Sequence, residues 1–222
     1  MFANRKAAGE ALAKKLEAHE GADTVIFALP RGGVPVAAPV AKRLKAPLSL
    51  LFVKKIGAPG QPELAIGAIV DGEEPTQILH NDIIRSLHVS ELYLSTESDL
   101  ALAEIERRRA LYAGLYARVS PKGKTAVIID DGLATGASME AAISAVRQQG
   151  ATRIIGAIPI APTDIIEKLK SDVDELICLD AQESFHSVSQ AYHEFMQLSD
   201  ADVMEVLNEF SGDERSLVQK RA

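Results

Sequence analysis

The chain has 222 residues, 47% hydrophobic and 25% charged, enough to bury one sizeable core with an attached subdomain. A net charge of −7 argues against a phosphate-rich polymer as partner, because nucleic-acid binders draw affinity from clustered Lys and Arg, yet it leaves room for a small anion in a local positive pocket. The lone Cys178 rules out an intrachain disulfide or a cysteine-built metal cage and fits the cytoplasm; no apolar run suits a membrane span, and the charged first turns do not suit a secretory leader.

Short apolar runs alternate with longer amphipathic ones, the signature of βαβ units. The expected fold class is α/β, with a mostly parallel central sheet and flanking helices. In chain order the pattern predicts a helix over Arg5–His19, a strand over Thr24–Leu29, a helix over Val34–Leu44 whose start is blurred by Pro35 and Pro39, and a strand over Leu48–Val53. The rhythm then breaks. Glu63–Asn81 reads as two extended arms joined by Asp71-Gly72-Glu73-Glu74, a β-hairpin inserted where a helix is due. A long helix near Ser90–Ala117, a strand over Thr125–Ile129, a helix over Met139–Gln149 closed by Gly150, a strand over Ile154–Ile160, a helix over Asp164–Leu169 and a strand over Glu175–Leu179 complete the core. After Asp180 come most of the remaining aromatics, expected to form a small C-terminal hood, and a last helix, Ala201–Phe210. The domain reading is a core over 1–180 with a flexible loop and hairpin over 54–81, a hood and helix over 181–211, and a frayed tail over 212–222.

The chemistry concentrates in TAVIIDDGLATGASM, Thr125 to Met139. A buried strand delivers Asp130 and Asp131 at its carboxyl end, where open α/β sheets bind ligands, and the small-residue loop Ala134-Thr135-Gly136-Ala137-Ser138 then opens a helix. Unpartnered amides and the helix dipole at such a terminus suit a phosphate, Gly136 lets it approach, and Thr135 and Ser138 add hydroxyls. The same phosphate would repel the two acids, so they serve another part of the ligand, and a vicinal diol is the natural choice: a ribose 5-phosphate bridges both sites. The bland alternative is that the acids merely cap a helix. The Gly-Lys-Ser/Thr of a P-loop and a dinucleotide fingerprint are both absent.

Two further motifs precede it. Leu29-Pro30-Arg31-Gly32-Gly33 follows the first strand; its amides and fixed charge suit a pyrophosphate, although a Gly pair there is often only a tight turn. Phe52-Val53-Lys54-Lys55-Ile56-Gly57-Ala58-Pro59-Gly60 leads into the hairpin, and its lysines are either ordinary solvated charges or ligand contacts. The run Arg107-Arg108-Arg109 beside Glu104 and Glu106 reads as a solvated, self-paired helix face. The five histidines lack ligand spacing, and Cys178 reads as a buried structural thiol.

Taken together, these stretches resemble the phosphoribosyl-pyrophosphate binding elements of the type I phosphoribosyltransferases, over Thr24–Gln149 by motif and to Leu179 by sheet pattern. The resemblance implies that Asp130 and Asp131 hold the ribose 2′ and 3′ hydroxyls, that Ala134, Thr135, Gly136, Ala137 and Ser138 bind the 5-phosphate, and that Arg31, Gly32, Gly33, Lys54 and Lys55 meet the pyrophosphate, the Gly-rich turn often carrying a cis peptide. Asp130, Asp131, Lys55 and Arg31 take the catalytic roles. Several purine-type members carry Asp where this chain has Ala134; adenine-type members have Ala. Phe185 and Tyr192 either stack on the acceptor base or belong to the core. The implied reaction transfers the 5-phosphoribosyl group of 5-phosphoribosyl 1-diphosphate (PRPP) to a nitrogenous acceptor with release of pyrophosphate. Mg2+ would be held mainly through PRPP, with no direct protein ligand; neither nucleic acid nor membrane is a partner, and a homodimer is compatible. The competing readings are a non-catalytic phosphoribosyl- or nucleotide-sensing regulator of the same fold, and a hydrolase using water as acceptor.

Overall fold

The computed structural model describes residues 1–21, 23–72 and 74–219. Its element order is α1 (Arg5–Lys15), β1 (Thr24–Ala28), α2 (Gly33–Leu44), β2 (Leu48–Leu50), β3 (Val53–Ala58), β4 (Gln61–Val70), β5 (Thr76–Leu79), α3 (Asn81–Ser86), α4 (Glu91–Leu111), β6 (Thr125–Ile129), α5 (Ala137–Gln148), β7 (Arg153–Pro162), α6 (Thr163–Leu169), β8 (Glu175–Gln182) and α7 (Asp200–Gln219). The central sheet runs β2-β1-β6-β7-β8 and is parallel throughout. The fold is α/β, with flanking helices and a separate antiparallel sheet, β3-β4-β5.

Side-chain alternation along the strands explains the layers. Ile26, Ala28, Val127 and Ile129 point to one face, where α1, α2 and α7 add Leu12, Leu16, Val36, Val40, Val203 and Leu207. Val25, Phe27, Ala126 and Ile128 point to the other, covered by Met139, Ile143 and Val146 of α5 and by Ile166 and Leu169 of α6. With both faces buried, the strands read as unbroken apolar runs, which is why β1 and β6 stand out in the sequence. Helix α1 lies close on α2 because Gly9 has no side chain: a Cβ there would come within 2.3 Å of the Val36 carbonyl oxygen.

Several element boundaries differ from expectation, each for a local reason. The Leu48–Val53 run is divided: β2 stops at Leu50, and Val53 already pairs with Val70 in the second sheet. The hairpin is therefore three-stranded, and the lysine-bearing segment expected as a flexible loop is strand β3, with Lys54 opposite Ile69 and Lys55 opposite Ala68. The turn lies at Pro59-Gly60, where Gly60 adopts φ +71°. Ser90 caps α4 by accepting from the Tyr93 amide (3.2 Å), and the helix stops at Leu111 rather than Ala117, just before Gly114 at φ +80°. The last helix, expected over Ala201–Phe210, begins at Asp200 and its backbone continues through Gly212 to Gln219; of the frayed tail expected over 212–222, the final three residues lie outside the described residues. Among the described residues no helix is long and apolar enough to cross a membrane.

Candidate active site

Strand order places the site. From β1 the chain moves outward to β2 on one side, and later strands build outward from β6 on the other, so the loops after β1 and β6 diverge and leave a crevice at their carboxyl ends. The two strands are tightly matched there: the Leu29 amide donates to the Ile129 carbonyl (2.9 Å), and a Cβ on Gly33 would meet that same oxygen at 2.5 Å. Glycine is required for α2 to start this close to β6.

The loop after β1 carries Arg31, Gly32 and Gly33, and its Pro30–Arg31 peptide is cis. The loop after β6 carries the acids. Asp131 packs its carboxylate on Gly32, so closely that a Cβ at that glycine would fall 2.1 Å from Oδ2. The two motifs, a hundred residues apart in sequence, are thus one surface. Asp131, Gly32 and Arg31 line a cleft of about 260 Å3 together with Arg5, Phe195, Gln197 and Leu198.

The electrostatics of the pair are unbalanced. Loss of water, then repulsion from Asp131, pushes the Asp130 carboxyl well above the ordinary carboxylate range. Its Oδ1 accepts from the Asp131 amide (2.8 Å), a smaller opposing effect. Asp131 is raised as well by desolvation, opposed first by its hydrogen bond with Arg5, whose Nε lies 2.7 Å from Oδ2.

Beyond Asp131 the chain passes Ala134 and Thr135, both exposed, to Gly136 and the start of α5. Gly136 adopts φ +73°, and a Cβ would press on Ile165 at 2.8 Å, so both conformation and packing call for glycine. The N-cap position, Gly136, offers α5 no side-chain cap, and the Thr135 hydroxyl accepts only a long bond from the Ala137 amide (3.5 Å). The first turn, with half-buried Ala137 and Ser138, keeps amides available to a ligand.

Not every expected residue joins this cleft. Lys55 lines a different groove, about 540 Å3, between the hairpin sheet and α5, shared with Ala137, Glu140 and His80. Lys54, its neighbour in β3, projects to the opposite face of the strand. Tyr192 is only 5% exposed: its ring packs against Phe2 and Phe195, and its hydroxyl donates to the Asp131 carbonyl (2.5 Å). That burial suits a brace for the acidic loop and leaves no open ring face for a base. Half-buried Phe185 packs in the same small cluster, around Ala8 and Ile160. Cys178 directs its thiol at the Asp180 carbonyl (3.4 Å), and burial pushes its pKa up, as suits an inert thiol.

The structure adds Arg5, Asp200 and the N-terminal residues of the hood, which no motif announced. Arg5, 9% exposed, reaches in from α1, bonding Asp131 and the Met196 carbonyl (2.9 Å) with its guanidinium carbon 3.8 Å from the centre of the Phe195 ring. A cation in the first turn of a helix opposes the dipole, and that local mismatch was the one available signal. Asp200, heading α7, approaches Arg31 to 4.0 Å and accepts from Tyr112 Oη (2.6 Å), a fully buried phenol whose pKa is pushed up by burial and by that acid. The hood also uses the chain's first residues: the Phe2 amide donates to Ala191, and the His193 and Glu194 amides donate to Phe2 and Ala3.

The chain is similar to known proteins over most of its length. Two curated relatives from Mycobacterium tuberculosis, strains CDC 1551 and H37Rv, provisionally named phosphoribosyl transferases, are each 41% identical over 208 residues; the match takes in 94% of this chain and 46% of theirs, so the chain spans about half their length. The crystal structure of the protein TT1426 from Thermus thermophilus superposes with a TM-score of 0.83 at 37% identity, covering 95% of this chain and 99% of that one. The family described as the phosphoribosyl transferase domain matches residues 2–195, and the chain belongs to it.

Proposed function

We propose that the protein transfers the 5-phosphoribosyl group of PRPP to a nitrogen nucleophile and releases pyrophosphate. The observation that carries this reading is the contact of Asp131 with Gly32 in a cleft that also holds Arg31, one loop away from the uncapped start of α5. A ligand spanning these points needs a diol for the acids, an anion on each side of it, and a reactive carbon between.

Each part then has a task. The α5 terminus and the Thr135 and Ser138 hydroxyls take the 5-phosphate. Asp130 and Asp131 accept hydrogen bonds from the ribose hydroxyls and face the positive charge that grows at the anomeric carbon as its bond to pyrophosphate breaks. A unit charge about 4 Å from a carboxylate is worth roughly 4 kcal/mol at an effective dielectric of 20, and a cation is what a crowded acidic pair lacks. The leaving oxygen keeps the bonding electron pair, and Arg31 with the Gly32 amide neutralises it, the Gly33 amide donating instead to the Leu29 carbonyl (3.0 Å). The acceptor nitrogen enters from the hood side, beside Phe195, Gln197 and Leu198.

Magnesium fits as part of the substrate. Among the described residues no group of three or more His, Cys, Asp or Glu is placed to hold a metal, whereas PRPP brings a dense set of hard oxygens. When bound, the ion would offset pyrophosphate charge, and Arg31 and the loop amides would hold that complexed group. For Lys55 to reach it, the β3–β4 arm must move toward the cleft, a closure that would also exclude water. The second reading, a phosphoribosyl- or nucleotide-sensing protein, draws support from the position of Lys55 outside the cleft.

Calorimetric titration with PRPP, with and without magnesium, followed by pyrophosphate release against a panel of bases, separates these readings. Magnesium-dependent binding with release is the expected result; binding without release for any base supports the sensor.

A further inference from the structure

Arg5 satisfies an unusual set of constraints for a residue outside every recognised motif. It belongs to the first turn of α1, is almost wholly buried, and points into the cleft. Its Nε bonds Asp131 Oδ2 at 2.7 Å while a second nitrogen bonds the Met196 carbonyl at 2.9 Å, and its plane lies against Phe195. Buried arginine is costly unless its donors are used, and this one uses them on the acidic loop and the hood together. The acidic pair needs it in turn: two adjacent carboxylates in a dry site repel each other, and among the described residues Arg5 is the cation bonded to either. The other groups facing Asp131 are Asp130, the Tyr192 hydroxyl on its carbonyl, and Arg31 across the cleft.

We propose that Arg5 is a positioning residue of the phosphoribosyl site, whose guanidinium aims the Asp131 carboxylate over Gly32 and ties that acid to the hood. The inference rests on the phosphoribosyl reading. It makes the first turn of α1 part of the binding machinery, acting through Asp131 and not through the bonds that break. It also couples occupancy to closure, since any shift of the 195–198 segment moves the guanidinium that orients the acid.

The test compares wild type, Arg5→Ala and Arg5→Lys by calorimetric titration with PRPP and magnesium, each with and without ethylguanidinium, a free copy of the missing group. Arg5→Ala is expected to weaken binding at least ~10-fold, since small displacements of a positioned group are this expensive, and ethylguanidinium is expected to recover most of that loss. Arg5→Lys keeps the charge without the planar fork and is expected to fall between the two. Wild-type affinity in Arg5→Ala would overturn the inference; so would a loss that ethylguanidinium leaves untouched, because the residue would then only pack the hood. Should Arg5→Ala fail to fold, Arg5→Lys decides, and wild-type affinity there overturns the need for the fork. No PRPP binding by wild type would sink the phosphoribosyl reading itself, a result visible before any variant is measured.

Discussion

Asp130 and Asp131 sit where the fold cannot make both comfortable. Water is largely excluded around them, one charge raises the other, and the Arg5 guanidinium bonded to Asp131 is shared with the hood. The fold raises the Asp130 pKa, so folding favours its protonated form: that part of the stability is complete below the ordinary carboxyl value and is lost as pH rises through the raised one. Asp130→Asn removes the ionisable group while its amide oxygen still accepts from the Asp131 amide. The variant is therefore expected to have a higher thermal midpoint than wild type at pH 8, with the gap closing as pH falls toward 4, by about 2–4 °C for each kcal/mol recovered in a chain of this size. Differential scanning calorimetry across pH measures this directly, and a midpoint below wild type at pH 8 would mean the acid is stabilising. Loss of either carboxylate should at the same time weaken PRPP by about 1.5–3 kcal/mol, roughly 10- to 150-fold, the worth of a charged hydrogen bond. Stability gained and binding lost in one substitution is the mark of a group kept for a ligand.

At the scale of elements, the inserted sheet is fastened at its base by a buried ion pair. Asp71, 4% exposed, pairs with Arg109 of α4, which also donates to the Gly72 carbonyl (2.7 Å), while Gln149 holds the Asp71 carbonyl (3.0 Å) and Thr76 Oγ1 (3.1 Å). Burial lowers the Arg109 pKa, and its Nε is without a partner, so removing Asp71 would strand a desolvated cation. Asp71→Ala is expected to cost about 3–5 kcal/mol, read as a fall in denaturant midpoint with faster amide exchange in β4 and β5. A loss under about 1 kcal/mol, the scale of an exposed pair, would show that water already screens this contact. This pair marks where sequence patterning stops: the arginine run was legible as a self-paired face, and Glu104 does hold Arg107 and Arg108 at 2.8 Å, but periodicity cannot tell that the third arginine turns to a loop nearly forty residues earlier. The strands flanking the acids were legible because burial on both faces leaves them apolar after an opening threonine, Thr24 in β1 and Thr125 in β6. The β3 strand was not, since Lys54, Lys55, Gly57 and Pro59 carry loop chemistry, and its pairing with β4 is decided by tertiary register.

At the scale of the whole molecule, the site is assembled from the chain's distant parts. The switch point between β1 and β6 brings Gly32 to Asp131, and the hood laid across it joins residues 2–5 to residues 191–196. Motifs whose backbone amides and charge suit a phosphate could be read in sequence because their chemistry is local. Arg5, Asp200 and the N-terminal part of the hood could not, because each acts through partners 88 or more residues away. A ligand that fills such a site should tighten the entire fold: PRPP with magnesium at about 100 times its dissociation constant would add roughly 2.7 kcal/mol to stability, seen as a thermal midpoint raised by several degrees in wild type but not when both acids are replaced. The most direct test is calorimetric titration of wild type and the Asp130→Asn/Asp131→Asn double variant with PRPP in the presence and absence of magnesium. Saturable, magnesium-dependent heat from wild type that vanishes in the double variant is the expected result; no heat from wild type, or wild-type affinity in the double variant, would contradict it.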